Sequence, residues 1–169
     1  HYFHQNKELK GKEFKTETYD KNGNIFTRTE SNYNITYKNN DNKSQYFLTQ
    51  LKSSASYLFD GLNESPKTTN ISYKYDNYSN VINKIIFGNI NINGDEKYEN
   101  YTFVYNHSLN ILDKVSKYQL LDSTYNKIRE TKYYYDNKLV GLTKGDLTKQ
   151  EEWLNDETGN PVTYYNYDS

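Results

Sequence analysis

Apolar and polar positions alternate along most of the chain. Tyr101, Phe103 and Tyr105 share one parity against Thr102 and Val104, and Ile71, Tyr73 and Tyr75 oppose Ser72 and Lys74. A period of two puts each set on one face of a strand, so the pattern predicts strands with one apolar face each. Between these runs lie short polar stretches that begin with Asp or Asn and reach an Asn four residues later. They occur in "TETYDKNGNIFTRTE" (16–30), "SYKYDNYSNVINKII" (72–86), "TFVYNHSLNILDKVS" (102–116) and "QLLDSTYNKIRETKY" (119–133). A fifth copy, "EEWLNDETGNPVTYY" (151–165), carries Asp156 and Asn160.

Turn chemistry explains those residue types. An Asp or Asn at the start of a turn accepts hydrogen bonds from N–H groups two residues on, and a Gly or Asn near its end tolerates the left-handed backbone that closes a hairpin. Residues 101–135 therefore read as a three-strand meander with turns at 106–110 and 122–126. Asn93-Gly94 signals another hairpin, with Asp95 and Glu96 at a solvated tip. Over residues 44–65 the alternation is less regular and predicts a short helix or an irregular excursion before the sheet resumes at Ile71. The expected fold is all-β, an antiparallel meander of hairpins forming a curved sheet, within one β-rich segment covering 1–169.

Composition changes this picture in one respect. Only 34% of residues are hydrophobic, yet 17% are aromatic and 20 are tyrosines, so tyrosine must supply much of the interior. Alanine, the favoured helix residue, occurs once, at Ala55, which suits sheet better than helix. Disordered segments are poor in aromatic residues, so an ordered chain is expected.

Charge and residue inventory exclude several functions. The formal net charge is -1, from 21 basic and 22 acidic residues finely interspersed, and this makes no field to attract nucleic acid or an anionic membrane. Tyr73-Lys74-Tyr75 has the interleaving of a base-stacking platform, but strand alternation accounts for it. There is no cysteine for disulfides or thiolate metal ligands. No apolar run of 18 residues exists, so this segment is not expected to insert into a membrane.

No catalytic constellation emerges. His1 and His4 lie near the start, His107 sits in a turn beside Ser108, and neither GxSxG nor HExxH context surrounds any of them. Glu151 and Glu152 are adjacent, so on a strand they point to opposite faces and cannot flank one bond. Asp20-Lys21-Asn22-Gly23-Asn24 lacks the glycine and glutamate positions of a calcium loop, the last of which holds Ser31. The expectation is a non-enzyme with no cofactor and no metal.

Tyrosine followed by Asp or Asn recurs at Tyr19-Asp20, Tyr75-Asp76, Tyr105-Asn106, Tyr135-Asp136 and Tyr167-Asp168, the last four at spacings of about 30. This resembles the YD repeats of RHS-type proteins. The segment "TKYYYDNKLVGLTKGDLTKQEEWL" (131–154) is similar to stretches of the toxin-complex B subunit, SpvB-like proteins and other RHS-repeat toxins. Ser79 and Leu109 stand where the family pattern has glycine, and Asn106 where it has aspartate. The resemblance implies a secreted or cell-surface bacterial protein whose repeats wind into a hollow β-shell around a toxic polypeptide. It also implies that the five Tyr-Asp/Asn pairs are structural repeat positions.

On that basis the chain is expected to be a piece of a longer protein; it contains no methionine and stops just after Tyr167-Asp168. Its partners would be adjoining repeats of the parent chain or another protein, with raw sheet edges able to form homo-oligomers. The alternative is a binding module in which Tyr133, Tyr134, Tyr135 and Trp153 present an aromatic surface to a glycan or protein. Three consecutive tyrosines must place rings on both faces of a strand.

Overall fold

The computed structural model describes residues 1–40, 44–59, 65–155 and 159–168. Its strands are β1 (Tyr2–Phe3), β2 (Glu13–Tyr19), β3 (Ile25–Asn40), β4 (Ser44–Leu58), β5 (Lys67–Tyr75), β6 (Val81–Asn89), β7 (Lys97–Asn106), β8 (Ile111–Leu121), β9 (Lys127–Tyr135), β10 (Leu147–Glu152) and β11 (Val162–Tyr164). They are hydrogen-bonded in chain order from β1 to β11 in one sheet, so the fold is the all-β antiparallel meander that the alternation predicts. The only helix among the described residues is a single 3-10 turn at His107–Leu109. The chain divides into two compact units, His1–Tyr73 with Ile86–Asp95, and Lys74–Ile85 with Glu96–Ser169.

The first unit is built on the long β3–β4 ladder, whose register runs from Thr27↔Leu58 to Asn40↔Ser44 with an irregularity between Asn32 and Tyr33. Residues 44–58, where a short helix or irregular excursion was expected, are thus a regular strand. The reason is tertiary. Pairing sets Phe47, Thr49 and Leu51 opposite Tyr37, Ile35 and Tyr33, and the weakly propensive Ser53, Ser54, Ala55 and Ser56 gain backbone partners from β3 on one side and β5 on the other. Ladder hydrogen bonds outweigh local preference there. Residues 60–64 of that stretch lie outside the described residues.

The segment ahead of β2 folds onto this ladder. The Thr49 hydroxyl donates to the Glu8 carbonyl at 2.9 Å, Tyr33 donates to the Glu13 carbonyl at 2.9 Å, and Leu9 is buried. Asp95, expected at a solvated tip, is exposed but accepts the Asn89 N–H at 2.9 Å. Glycine at position 88 leaves room for this contact, because a Cβ there would collide with the Asp95 carboxylate, and its φ of 60° is left-handed.

The second unit contains the β7–β8–β9 meander, with its turns at 106–110 and 122–126 as the sequence pattern predicts. Its core is small: Val104, Tyr135 and Leu142 are buried together, with Ile111, Tyr133 and Leu147 packed against them. Thr131 is 1% exposed, a small β-branched side chain at the β8–β9 pair Tyr118↔Thr131. Tyrosine contributes core volume here while keeping its hydroxyl bonded, since Tyr135 donates to the Val115 carbonyl at 3.0 Å.

Candidate functional site

Three of the Asp turns have one geometry. Asp20 Oδ1 accepts the N–H groups of Asn22 and Asn24, both at 2.8 Å. Asp76 Oδ1 accepts those of Tyr78 at 2.8 Å and Asn80 at 2.9 Å. Asp122 Oδ1 accepts those of Thr124 and Asn126, both at 2.9 Å. In each case the Asn amide returns a hydrogen bond to the second carboxylate oxygen. The residue before that Asn is left-handed, with φ of 84° at Gly23, 71° at Ser79 and 64° at Tyr125. The Asn24 side-chain amide and N–H, with the N–H groups of Asn22 and Gly23, hold the Asp20 carboxyl below its usual range. The Thr124 hydroxyl and Asn126 N–H do the same for Asp122.

Within the second unit these turns brace one another. The Tyr105 hydroxyl donates to Asp76 Oδ2 at 2.7 Å, and the Asn80 amide donates onward to the Leu112 carbonyl at 2.7 Å. Asn106 accepts the Leu109 N–H and donates its amide to the Leu142 carbonyl at 2.6 Å. Tyr78 packs on Tyr105 with centroids 5.1 Å apart, and its hydroxyl lies 3.3 Å from His107 Nδ1. His107 is therefore an exposed turn residue that also closes an aromatic cluster.

Asp136 departs from the five-residue pattern. Asp136 and Asn137 are left-handed, with φ of 53° and 64°, and the chain runs out to Leu142 before returning. The Asp136 carboxylate accepts the N–H groups of Thr143, Lys144, Gly145 and Asp146 at 2.7 to 3.3 Å. Burial would raise this carboxyl, but the four backbone donors reverse that and place it well below the usual carboxylate range. The loop's Leu142, 6% exposed, closes over Val104 and Tyr135. The loop at 136–146 is thus a carboxylate-anchored lid on the core.

The consecutive tyrosines divide between faces as alternation requires. Tyr133 and Tyr135 join Tyr101 and Tyr118 around an open hollow of about 460 Å³, with Arg129 at its margin. The Tyr101 hydroxyl donates to Glu99 at 2.7 Å. Tyr134 faces the other way, donating to Glu151 at 3.0 Å beneath the Lys149 ammonium. Trp153 lies apart from them, just past β10, under the Lys127 ammonium at 4.2 Å. Glu151 and Glu152 diverge, the first to Tyr134 and Asn160, the second to Arg129.

The remaining residues of the Tyr-Asp/Asn pairs differ in setting. Tyr75 and Tyr105 are half-buried, Tyr135 is buried, and Tyr19 and Tyr167 are exposed. Tyr19 donates to Glu17 at 2.9 Å and Tyr167 to the Leu147 carbonyl at 2.9 Å. Asp168 stands in the same open groove as Asp136, Asn160 accepts the Leu154 N–H, and Asp156 lies outside the described residues. Among the described residues, no three His, Asp or Glu side chains converge as a metal-binding group. Sequence reasoning missed Leu142 and Thr131; the Leu-Val-Gly-Leu run at 139–142 was the available signal for the first.

No family model matches the chain, and no curated protein matches it in sequence. Solved structures do share its fold. The chain superposes on the crystal structure of TcdB2-TccC3-Cdc42 with a TM-score of 0.67 at 9% identity, covering 85% of this chain and 10% of that one. It superposes on the Photorhabdus luminescens Tc holotoxin pore bearing a TccC3 mutation with a TM-score of 0.68 at 10% identity, again covering 85% and 10%. At such identities the likeness is one of fold, and the chain spans about a tenth of the length of the solved chains it matches.

Proposed function

We propose that this chain is a wall segment of a secreted bacterial toxin-complex-like β-shell, and that it has a scaffolding role without catalysis. The observation that carries this is the strand-after-strand order joined by Asp-anchored turns, in a fold that Tc toxin components share over most of its length. Each hairpin in such a wall needs its register set locally, because little core lies behind it. The aspartate turns supply that register, and the tyrosines tie neighbouring hairpins together. The Tyr-Asp/Asn pairs are on this reading structural positions, and adjoining repeats of a longer parent chain are the partners.

The test is the behaviour of the isolated chain. Exposed strands at the ends of the order, such as β11 with Tyr164, template association when no neighbour covers them. Size-exclusion chromatography with light scattering should show concentration-dependent oligomers. A strict monomer that binds a sugar saturably on a glycan array would overturn the shell reading.

The tyrosine hollow favours a second reading, a binding module. Flat tyrosine rings with an arginine at the edge form a surface suited to a glycan. Tyr133→Ala would abolish a saturable array signal if this reading holds and would leave self-association unchanged if it does not.

A further inference from the structure

Among the described residues, Tyr98 and Tyr125 are the most closely stacked tyrosine pair, with ring centroids 4.5 Å apart and planes 28° from parallel. Tyr98 lies near the start of β7, paired with Leu121, and Tyr125 belongs to the Asp122 turn that follows β8. Near-parallel rings at this separation lie in direct contact, so carbons of one phenol are within reach of those of the other. The other tyrosine stacks are wider and more tilted: 5.2 Å and 46° for Tyr101–Tyr118, 5.1 Å and 51° for Tyr78–Tyr105. In those pairs one hydroxyl is already given to a carboxylate, Glu99 or Asp76.

Tyr125 is also held in an unfavourable conformation. Its φ of 64° is left-handed, a region that strains a bulky residue. Gly23 and Ser79 occupy the same turn position in the other two Asp turns. The Asp122 hydrogen bonds over-determine the backbone there and aim the ring at Tyr98. Tyr125 is 65% exposed, open to a diffusing oxidant. The chain has neither cysteine nor methionine, the sulfur residues that would otherwise take up oxidation.

We infer that Tyr98 and Tyr125 form a site of covalent modification, an intrachain dityrosine cross-link made by a one-electron oxidant of the peroxidase class. Each phenol yields its O–H hydrogen, as one electron and one proton, to the peroxidase, and one hydrogen peroxide is reduced to two waters. The two tyrosyl radicals join through a Cε–Cε bond. The hydrogen on each joined carbon then passes to its oxygen as the ring regains aromaticity, so the product is two hydrogens lighter. Pre-stacking makes this coupling intramolecular and fast relative to coupling between chains. The bond ties β7 to the turn between β8 and β9, reinforcing a sheet that contains no disulfide.

The experiment treats the purified chain with a heme peroxidase and equimolar hydrogen peroxide. The expected product is an intrachain species two hydrogens lighter, with blue dityrosine fluorescence and a cross-linked peptide joining Tyr98 to Tyr125. Its Tm should rise by roughly 5 °C or more, since the link restricts the unfolded chain. Tyr98→Phe and Tyr125→Phe should each remove this product while circular dichroism remains that of the parent, and Tyr78→Phe should leave it. Mapping to other tyrosine pairs, coupling only between chains, or no coupling while free N-acetyltyrosine in the same tube reacts would each overturn the assignment. The mapping on the unsubstituted chain decides the matter even if a variant misfolds.

Discussion

Tyr105 on β7 donates its hydroxyl to the Asp76 carboxylate at 2.7 Å, so the aromatic residue of one turn holds the acidic residue of the turn before it. The same carboxylate organises its own turn through Tyr78 and Asn80. One side chain thereby links local turn geometry to the packing of the next hairpin.

Removing that link isolates its contribution. Tyr105→Phe keeps the ring and deletes the donor, and a hydrogen bond to a charged acceptor is worth about 1.5–3 kcal/mol. The expected result is a loss of that size in urea unfolding with an unchanged m-value. Loss below about 0.5 kcal/mol would show that water replaces the bond.

The loop anchored by Asp136 should be more sensitive still. Asp136→Asn leaves the side chain's size but removes the charge that four backbone N–H groups share, and an expected cost of about 2–3 kcal/mol follows from charge-assisted bonding. Hydrogen exchange at Thr143, Lys144 and Gly145 should accelerate more than in β7 or β8. Uniform acceleration would mean that the loop is no separate unit.

A stabilising change is expected at Ser79. Its φ of 71° is left-handed, so Ser79→Gly removes strain at the cost of some unfolded-chain entropy, for a net gain of about 0.5–1 kcal/mol. Thermal unfolding checks it; a lower Tm would contradict the strain.

Acid should destabilise the fold in a defined window. Burial tends to raise the Asp76 carboxyl, but Tyr105, Asn80 and the N–H groups of Asn80 and Tyr78 bring it below its usual value. Glu17 behaves likewise: burial raises it, and bonds from Tyr19, Tyr2 and Arg28 with the charge of Lys15 lower it to about 2. A depressed folded pKa contributes stability that is complete above the unfolded value near pH 4 and is lost as pH falls through the folded value. Tm should therefore be flat from neutrality to about pH 4–5 and decline below it; a decline beginning near pH 6 would contradict the depressed carboxyls.

Alkali acts through tyrosine with the opposite sense. Burial first, then the bond to Asp76, raises the Tyr105 phenol to about 12, and burial with the Glu99 bond raises Tyr101 further. Neutral phenols stabilise the fold fully below the unfolded value of about 10, and this contribution is lost as pH rises through the folded value. Spectrophotometric titration should show a late-ionising class that merges with the rest on unfolding. A single class near pH 10 in the native chain would refute the buried, bonded phenols.

The amino-acid sequence by itself determined the strands and short turns of 101–135, because period-two alternation and Asp-to-Asn turn chemistry act within a few residues. It likewise determined that Tyr133, Tyr134 and Tyr135 divide between two faces. Only tertiary structure decided that Ser44–Leu58 is a strand, since its ladder partners are more than ten residues away through much of its length and local preference there is weak. Tertiary structure alone also turned Asp136 from a turn opener into the anchor of a loop ending on Leu142. The space above Val104 and Tyr135 is created by four strands together, and no local pattern encodes the shape that a distant leucine must fill.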